Sequence, residues 1–281
     1  MDGDPSRTVK ISVIVATLHA RDQLARLCAE CRPLTSCGVE LVVVDGGSQD
    51  GSERVVSTVP GAHWLSEPDD GVADAWNKAL AMATGDWLVF AGADDRLGPT
   101  DAWQHTVTVL ERMAADVSLV AFAVNVVSPL GSPLALTEPR PGIDLARLKA
   151  VNAVPHQGVF ARRDVFTRVG RFDTSFRVTA DYEWLLRALL AGEVMATRAE
   201  HSPVSMTFGG LSTHEPLCTV RELRRAQQKR GVRGPRIAWW LAWARASVRH
   251  VMQKVCGRKL AGYLADCGRR LRGLRPVWSV P

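Results

Sequence analysis

The feature that most constrains this chain is a unit repeated through its N-terminal third. An apolar, β-branched run stops at a small or acidic residue, and a stretch with helical spacing follows. "KISVIVATL" (10–18) leads into "HARDQLARLCAEC" (19–31), and "VELVVVDGGSQDGS" (39–52) closes a second run on Asp45. "AHWLSEPDDG" (62–71) gives a short third strand ending at Asp69 and Asp70, then the helical "VADAWNKALAMATG" stops at Gly85. "WLVFAGADDRL" (87–97) ends on two adjacent carboxylates, Asp94 and Asp95. Continuous apolar runs mark strands buried on both faces, and strand–helix alternation predicts a parallel sheet with helices on each side. Ligands of such sheets gather at the carboxyl ends of the strands. Three acidic strand ends therefore converge on one crevice.

The second half reads as more mixed. "VSLVAFAVNVVSPLGSPLAL" is a strand that turns between Pro129 and Pro133, and "HQGVFARRDVF" is a short strand followed by a helix start. "ADYEWLLRALLAG" (180–192) is a helix that opens on Asp181 and stops at Gly192, and "EVMATRAEHSPVSMTFGGLS" reads as strand, then loop. With 281 residues, 46% of them hydrophobic, the chain can bury one large α/β domain with an appendage.

Charge locates the appendage. Residues 219–281 hold 16 Lys/Arg against Glu222 and Asp266, a net +14, which leaves −8 on residues 1–218. The division is read as a catalytic domain over 1–218, with halves of about 1–98 and 99–218, and a basic tail over 219–281. Within the tail, "PRIAWWLAWARASVRHVMQKVC" (235–256) puts Trp240, Leu241, Val248 and Val251 at helical spacing among Arg245, Arg249 and Lys254. A basic, Trp-rich amphipathic helix reads as a membrane-surface element, and Arg269, Arg270, Arg272 and Arg275 add attraction to anionic lipid. The alternative is a helix packed on the domain with its cations solvated. No nucleic-acid motif accompanies the positive charge, so no nucleic acid is expected. No apolar run approaches the roughly 20 residues of a membrane span. "MDGDPSRTVK" lacks the basic start and apolar core of a signal peptide, so a cytoplasmic, peripheral location is expected. Cys28 and Cys31 form a C-x-x-C inside a helical pattern with no second pair, and are read as free thiols.

Six blocks in order carry a resemblance: "ISVIVATLHARDQL", "LVVVDGGSQDGS", "SEPDDGVADAWNKALAMATGDWLVFAGADD", "HQGVFARRDVF", "ADYEWLLRAL" and "FGGLS". Together they resemble the family-2 glycosyltransferases of the GT-A fold, in the subgroup that builds bacterial cell-surface polysaccharides and glycolipids. The third block follows that subgroup's E-x-D-x-G-x-x-D-A-x-N-K pattern closely. The resemblance implies a mixed α/β sheet flanked by helices and a nucleotide-sugar donor, most naturally UDP-linked. It implies a glycolipid, lipid-linked or polysaccharide acceptor, and transfer with inversion.

The resemblance also implies roles for residues. Asp94 and Asp95 would hold a divalent cation, Mg²⁺ or Mn²⁺, against the donor diphosphate. Gly92 replaces the first acid of the usual D-x-D. Thr17, Asp45, Asp70, Lys78, Ala93 and Asp94 would bind the nucleotide sugar. A carboxylate such as Asp45 accepts from a ring N–H, as uracil offers. Asp45 also reads as a turn former before Gly-Gly, and Lys78 as part of a solvated helix face. Asp181 would be the catalytic base, taking the proton of the attacking hydroxyl; an N-terminal helix position also suits a plain cap. His156 and Gln157 would neighbour the acceptor or the diphosphate, with a core histidine as the alternative. "DGGSQDG" lacks G-x-G-x-x-G spacing, which removes a dinucleotide-binding reading. Two other functions compete: a nucleotidyltransferase, which needs a Gly- and Arg/Lys-rich loop where this chain has "ATLHARDQL", and a catalytically degenerate sugar-nucleotide-binding scaffold.

Overall fold

The structure is a computed structural model that describes residues 9–137, 148, 154–232 and 236–271. Strand β1 (Ile11–Thr17) runs parallel to β2 (Val39–Asp45) on one side and to β4 (Trp87–Gly92) on the other, with β3 (His63–Ser66) outside β2. The register sets Thr17 against Asp45 and Asp45 against Ser66, and Ala16 against Gly92, so four strand ends finish level. Side chains of β1 and β4 alternate between two cores. Ile14, Leu88 and Phe90 face one, while Val13, Val15, Trp87 and Val89 face the other. Helices α1 (Arg21–Cys31), α2 (Ser52–Val56) and α4 (Thr100–Glu111) cover the second core, and α3 (Val72–Met82) covers the first. The α1 residues Leu24, Leu27, Cys28 and Cys31 are buried there. Burial pushes the Cys28 thiol up to about 11 and Cys31 to about 12, so both are core residues and neither is a poised thiolate.

Beyond β4 the sheet stops being parallel. Its order is β3-β2-β1-β4-β8-β6-β10-β5, with β7 and β9 also paired to β6. Here β5 is Arg96–Leu97, β6 Val117–Val127, β7 Pro133–Thr137, β8 Val159–Arg162, β9 Val194–His201 and β10 Val204–Thr207. The stretch read as one strand and a loop, 193–212, holds two strands. β8 is antiparallel to β4, pairing Trp87 with Arg162. That reversal matters for the site. An antiparallel neighbour begins where a parallel strand ends, so the residues just before β8, His156 and Gln157, arrive beside Asp94 and Asp95.

The helix α5 (Val165–Arg168) leads to α6 (Ala180–Leu190), which stops ahead of Gly192 at φ 91°, as expected of a left-handed glycine. The short α7 (Leu211–His214) precedes α8 (Pro216–Lys229). The domain division at 218/219 falls inside α8, which packs on α6. Buried Glu222 accepts the N–H groups of Arg177, Val178 and Thr179 at 2.8, 2.9 and 3.0 Å, and so fixes the entry to α6. Gln227 donates to the Tyr182 hydroxyl, and Arg230 pairs with Glu183, whose side chain is 0% exposed. The tail proper is the pair α9 (Arg236–Val255) and α10 (Gly257–Arg270), with α9 packed against α8.

Candidate active site

At the ends of β1 and β2 the geometry is tight. Asp45 is fully buried, and its oxygens accept from Gly47 N (3.1 Å), Ser48 N (2.7 Å), Ser48 Oγ (2.6 Å) and Ser66 Oγ (2.7 Å). This is the turn-forming role; a base N–H would have to displace one of these donors. Thr17 is also buried, and its Oγ1 has no partner among the described residues. Asp69, not Asp70, turns toward the strand ends. Its Oδ1 accepts from Gly71 N at 2.9 Å, and a Cβ on Gly46 would stand 2.9 Å from its Oδ2. Asp70 is exposed, with its N–H donating to Asp74. The signal for Asp69 is present in the sequence, since it is the aspartate of the E-x-D-x-G pattern.

Lys78 is held by partners on its own helix and on the preceding loop. Its Nζ bonds Glu67 (3.0 Å), Asp74 (3.1 Å) and the Pro68 carbonyl (2.8 Å), which staples the 67–70 loop to α3. The hydrogen bond that Lys78 donates to Glu67 raises its pKa. Asn77 is likewise committed, exchanging two 2.9 Å hydrogen bonds with the backbone of Phe172.

The turn after β4 separates two carboxylates that the sequence pairs. Asp95 is 2% exposed and faces inward. Its Oδ2 accepts from Gly92 N (2.8 Å) and Gln157 Nε2 (3.0 Å), and its Oδ1 from Thr207 N (2.8 Å). It thereby joins β4, the start of β8 and the end of β10. Burial, then the charge of Asp94, raises its pKa. Ala93 is buried in the core, so it offers a ligand only backbone. Asp94 lies between them, half-buried, and lines the crevice. Its carboxylate occupies the space over Gly92, where a Cβ would stand 2.6 Å from Oδ1. The glycine that interrupts D-x-D thus gives Asp94 its position.

Asp181, also in the lining of this crevice, sits in the first turn of α6. His156 Nδ1 lies 3.2 Å from Asp181 Oδ2, and the imidazole edge rests on Trp76 at 5.4 Å. Burial pulls the His156 pKa down. The hydrogen bond and charge of Asp181, with the charges of Asp95 and Asp94, outweigh it and raise the pKa overall. Asp94, Asp95, His156, Gln157, Asp181 and Thr207 all line one crevice of about 430 Å³. Thr207, unnoticed in the sequence, donates its hydroxyl to the Asp94 carbonyl at 2.6 Å.

A cation site must be read from this donor set. Among the described residues no three His, Cys, Asp or Glu side chains converge as a closed cage. Asp95 already accepts three hydrogen bonds, which leaves Asp94 as the more open carboxylate for a cation. That suffices for a hard divalent ion, which binds through one or two carboxylates plus substrate phosphate oxygens.

Strand ends level with a half-buried aspartate, in one crevice with a helix-borne carboxylate, agree with the sequence match. The family model described as Glycosyl transferase family 2 covers residues 12–170. The chain belongs to this family. A Mycobacterium tuberculosis (strain ATCC 25618 / H37Rv) protein named as an uncharacterized glycosyltransferase is 32% identical over 219 residues, 76% of this chain and 82% of that protein. A PGL/p-HBAD biosynthesis glycosyltransferase of Mycobacterium bovis (strain BCG / Pasteur 1173P2) is 33% identical over 212 residues, 72% of this chain and 78% of that one. Among solved structures, Staphylococcus aureus TarS 1–349 in complex with UDP has a TM-score of 0.61 at 16% identity, covering 86% of this chain and 71% of that one. The Pyrobaculum calidifontis mannosyltransferase PcManGT, in complex with GDP-Man and Mn²⁺, gives 0.60 at 19% identity, covering 97% and 83%. These neighbours show that the family-2 glycosyltransferase has the GT-A fold.

Proposed function

We propose that this family-2 glycosyltransferase moves a sugar from a UDP-sugar to a glycolipid or lipid-linked saccharide, with inversion. The observation that carries the reading is the placement of Asp94 and Asp181 in the lining of one crevice. Asp181 takes the proton of the acceptor hydroxyl while that oxygen bonds to the anomeric carbon, and the bond from that carbon to the diphosphate oxygen breaks. His156 holds the Asp181 carboxylate in place. A divalent cation on Asp94 would supply charge stabilisation to the departing diphosphate. Thr17 offers its unpartnered hydroxyl to the nucleotide, Asp69 borders it, and Asp45 holds the turn that shapes this side. The UDP and UDP-GlcNAc complexes of TarS support a uridine donor, and the mycobacterial relatives named for PGL/p-HBAD biosynthesis support the acceptor class.

A thermal-shift screen of UDP, GDP and dTDP with Mn²⁺ tests the donor. UDP at 100 times its dissociation constant should stabilise the protein by about 2.7 kcal/mol. Thr17→Val should weaken that effect without lowering the melting point of the free protein. A shift with GDP and none with UDP would reassign the nucleotide.

The tail supports a surface location. No helix among the described residues is long and apolar enough to cross a membrane. On α9, Trp240, Leu241, Val248, Val251 and Val255 are all exposed and fall within about 100° of one another at helical spacing. On α10, Leu260, Tyr263 and Leu264 are exposed as well. Arg245, Lys254 and Arg270 are exposed alongside. The reading is that this face rests on anionic lipid at the cytoplasmic side. Wild-type protein should float with anionic vesicles, and the triple variant Leu241→Ser, Val251→Ser, Val255→Ser should not. Equal flotation of the two would remove the membrane role.

A further inference from the structure

The tail helices have a second face. On α9, Arg249 and Gln253 lie on the side opposite the exposed apolar stripe; on α10, Ala261, Gly262 and Ala265 turn away from Leu260, Tyr263 and Leu264. These inner faces close a second crevice of about 650 Å³, within the usual size of a small-molecule site. Its far wall is α1, through Asp22, Gln23 and Arg26. It joins the first crevice at Asp94, Thr207, Phe208, Gly209 and Thr213, which line both.

We infer that the donor's diphosphate lies where these crevices meet, gripped by Arg249 of the tail and Arg26 of α1. The inference rests on the glycosyl-transfer reading above. Charge balance argues for it. Gly92 contributes no acid and Asp95 already accepts three hydrogen bonds, so a shared cation is met by little more than the Asp94 carboxylate. A nucleoside diphosphate brings several negative charges, and the remainder must be met by cations of the chain. Guanidinium forks match phosphate oxygens in geometry as well as charge.

Both arginines are placed for this. Arg26 Nη2 donates to the Asp94 carbonyl at 3.3 Å, and its Nε is buried with no partner among the described residues. Arg249 Nη2 donates to the Thr213 carbonyl at 2.9 Å, which ties α9 to the short α7 that borders both crevices. Burial lowers the Arg249 pKa to about 10, which leaves it charged at neutral pH. The tail is then a plate with two functions: its outer face carries the apolar stripe, and its inner face completes the donor site.

Calorimetric titration of the full chain with UDP, UMP and uridine, in Mn²⁺ buffer, tests this placement. Arg249→Gln should weaken UDP by about tenfold or more, the usual loss for a hydrogen bond to a charged group, and leave uridine nearly unchanged. Arg249→Lys, which keeps the charge, should recover part of the loss, and Arg26→Gln should reproduce it. A tail that only braces the fold would alter UDP, UMP and uridine alike. The inference is overturned if Arg249→Gln and Arg26→Gln, both folded by circular dichroism, keep the wild-type ratio of UDP to uridine affinity. Should Arg249→Gln not fold, the same ratio measured in Arg249→Lys and Arg26→Gln decides between the two outcomes. If the wild-type chain binds neither UDP nor uridine, the uridine-donor reading itself has failed, a result distinct from an unchanged ratio.

Discussion

Asp181→Asn is expected to lower turnover by about 10²–10⁴-fold, the range that a positioned general base contributes. UDP binding and the melting temperature should hardly move. The amide preserves the shape of the carboxylate, so the 3.2 Å contact with His156 can be kept through the amide oxygen. What it loses is the ability to take a proton from the acceptor hydroxyl. The pH profile gives a second readout. The imidazolium of His156 donates from Nδ1 to Asp181 and competes with the acceptor hydroxyl for that carboxylate. Because the His156 pKa is raised, this restraint persists to a higher pH than for a free histidine, and activity should climb as pH rises through the raised value. The same linkage acts on stability in the opposite sense. The ion pair's contribution is complete below the unfolded imidazole pKa and is lost as pH rises through the folded one. His156→Gln should remove the acidic limb from kcat/KM. Near-normal turnover in Asp181→Asn would exclude it as the base.

The sequence reveals the parallel half of the sheet because each buried strand there is a continuous apolar run, and because such runs end at the crevice by topology. Asp45, Asp94 and Asp95 are legible as strand-end residues for that reason. Position along a strand does not tell which way a side chain points once the strand has ended. Asp95 turns inward because its acceptors meet donors from residues 157 and 207, brought together only by the antiparallel β8 and by β10. Lys78 is legible as a polar residue on α3, but its partners Glu67 and Pro68 lie on a loop whose path no periodicity describes. By charge alone, Glu222 is a lone acid in a basic tail. Its bonds to residues 177–179 reveal it as the brace for the Asp181 helix, so packing runs across the charge boundary at 218. Charge asymmetry detects that something changes along the chain, and packing decides where.

Asp94 and Asp95 should fail in opposite ways when each is replaced by alanine. Asp95→Ala leaves three buried donors, the N–H groups of Gly92 and Thr207 and the amide of Gln157, without an acceptor. An unsatisfied buried donor costs about 1–3 kcal/mol, so the loss of stability should be at least about 3 kcal/mol, with a melting point several degrees lower. Asp95→Asn is no remedy, because one end of its amide would present N–H groups to N–H groups. Asp94→Ala should leave denaturant stability within about 0.5 kcal/mol, as at a site whose carboxylate has no hydrogen-bond partner among the described residues. Its turnover should fall by at least about 10²-fold, the cost of removing one electrostatic contact to a departing anion. Metal dependence separates the two further. If Asp94 alone holds the cation, Asp94→Ala should need far more Mn²⁺ for half-maximal activity, and folded Asp95→Ala should keep the wild-type requirement. Equal shifts in both would mean that Asp95 also ligates the ion, which requires it to release Gln157 or Thr207 when the donor binds. A Gly92→Asp variant probes the same geometry from the other side. Its new side chain would collide with the Asp94 carboxylate, so restoring the missing acid should lower activity, because the turn has room for one outward carboxylate.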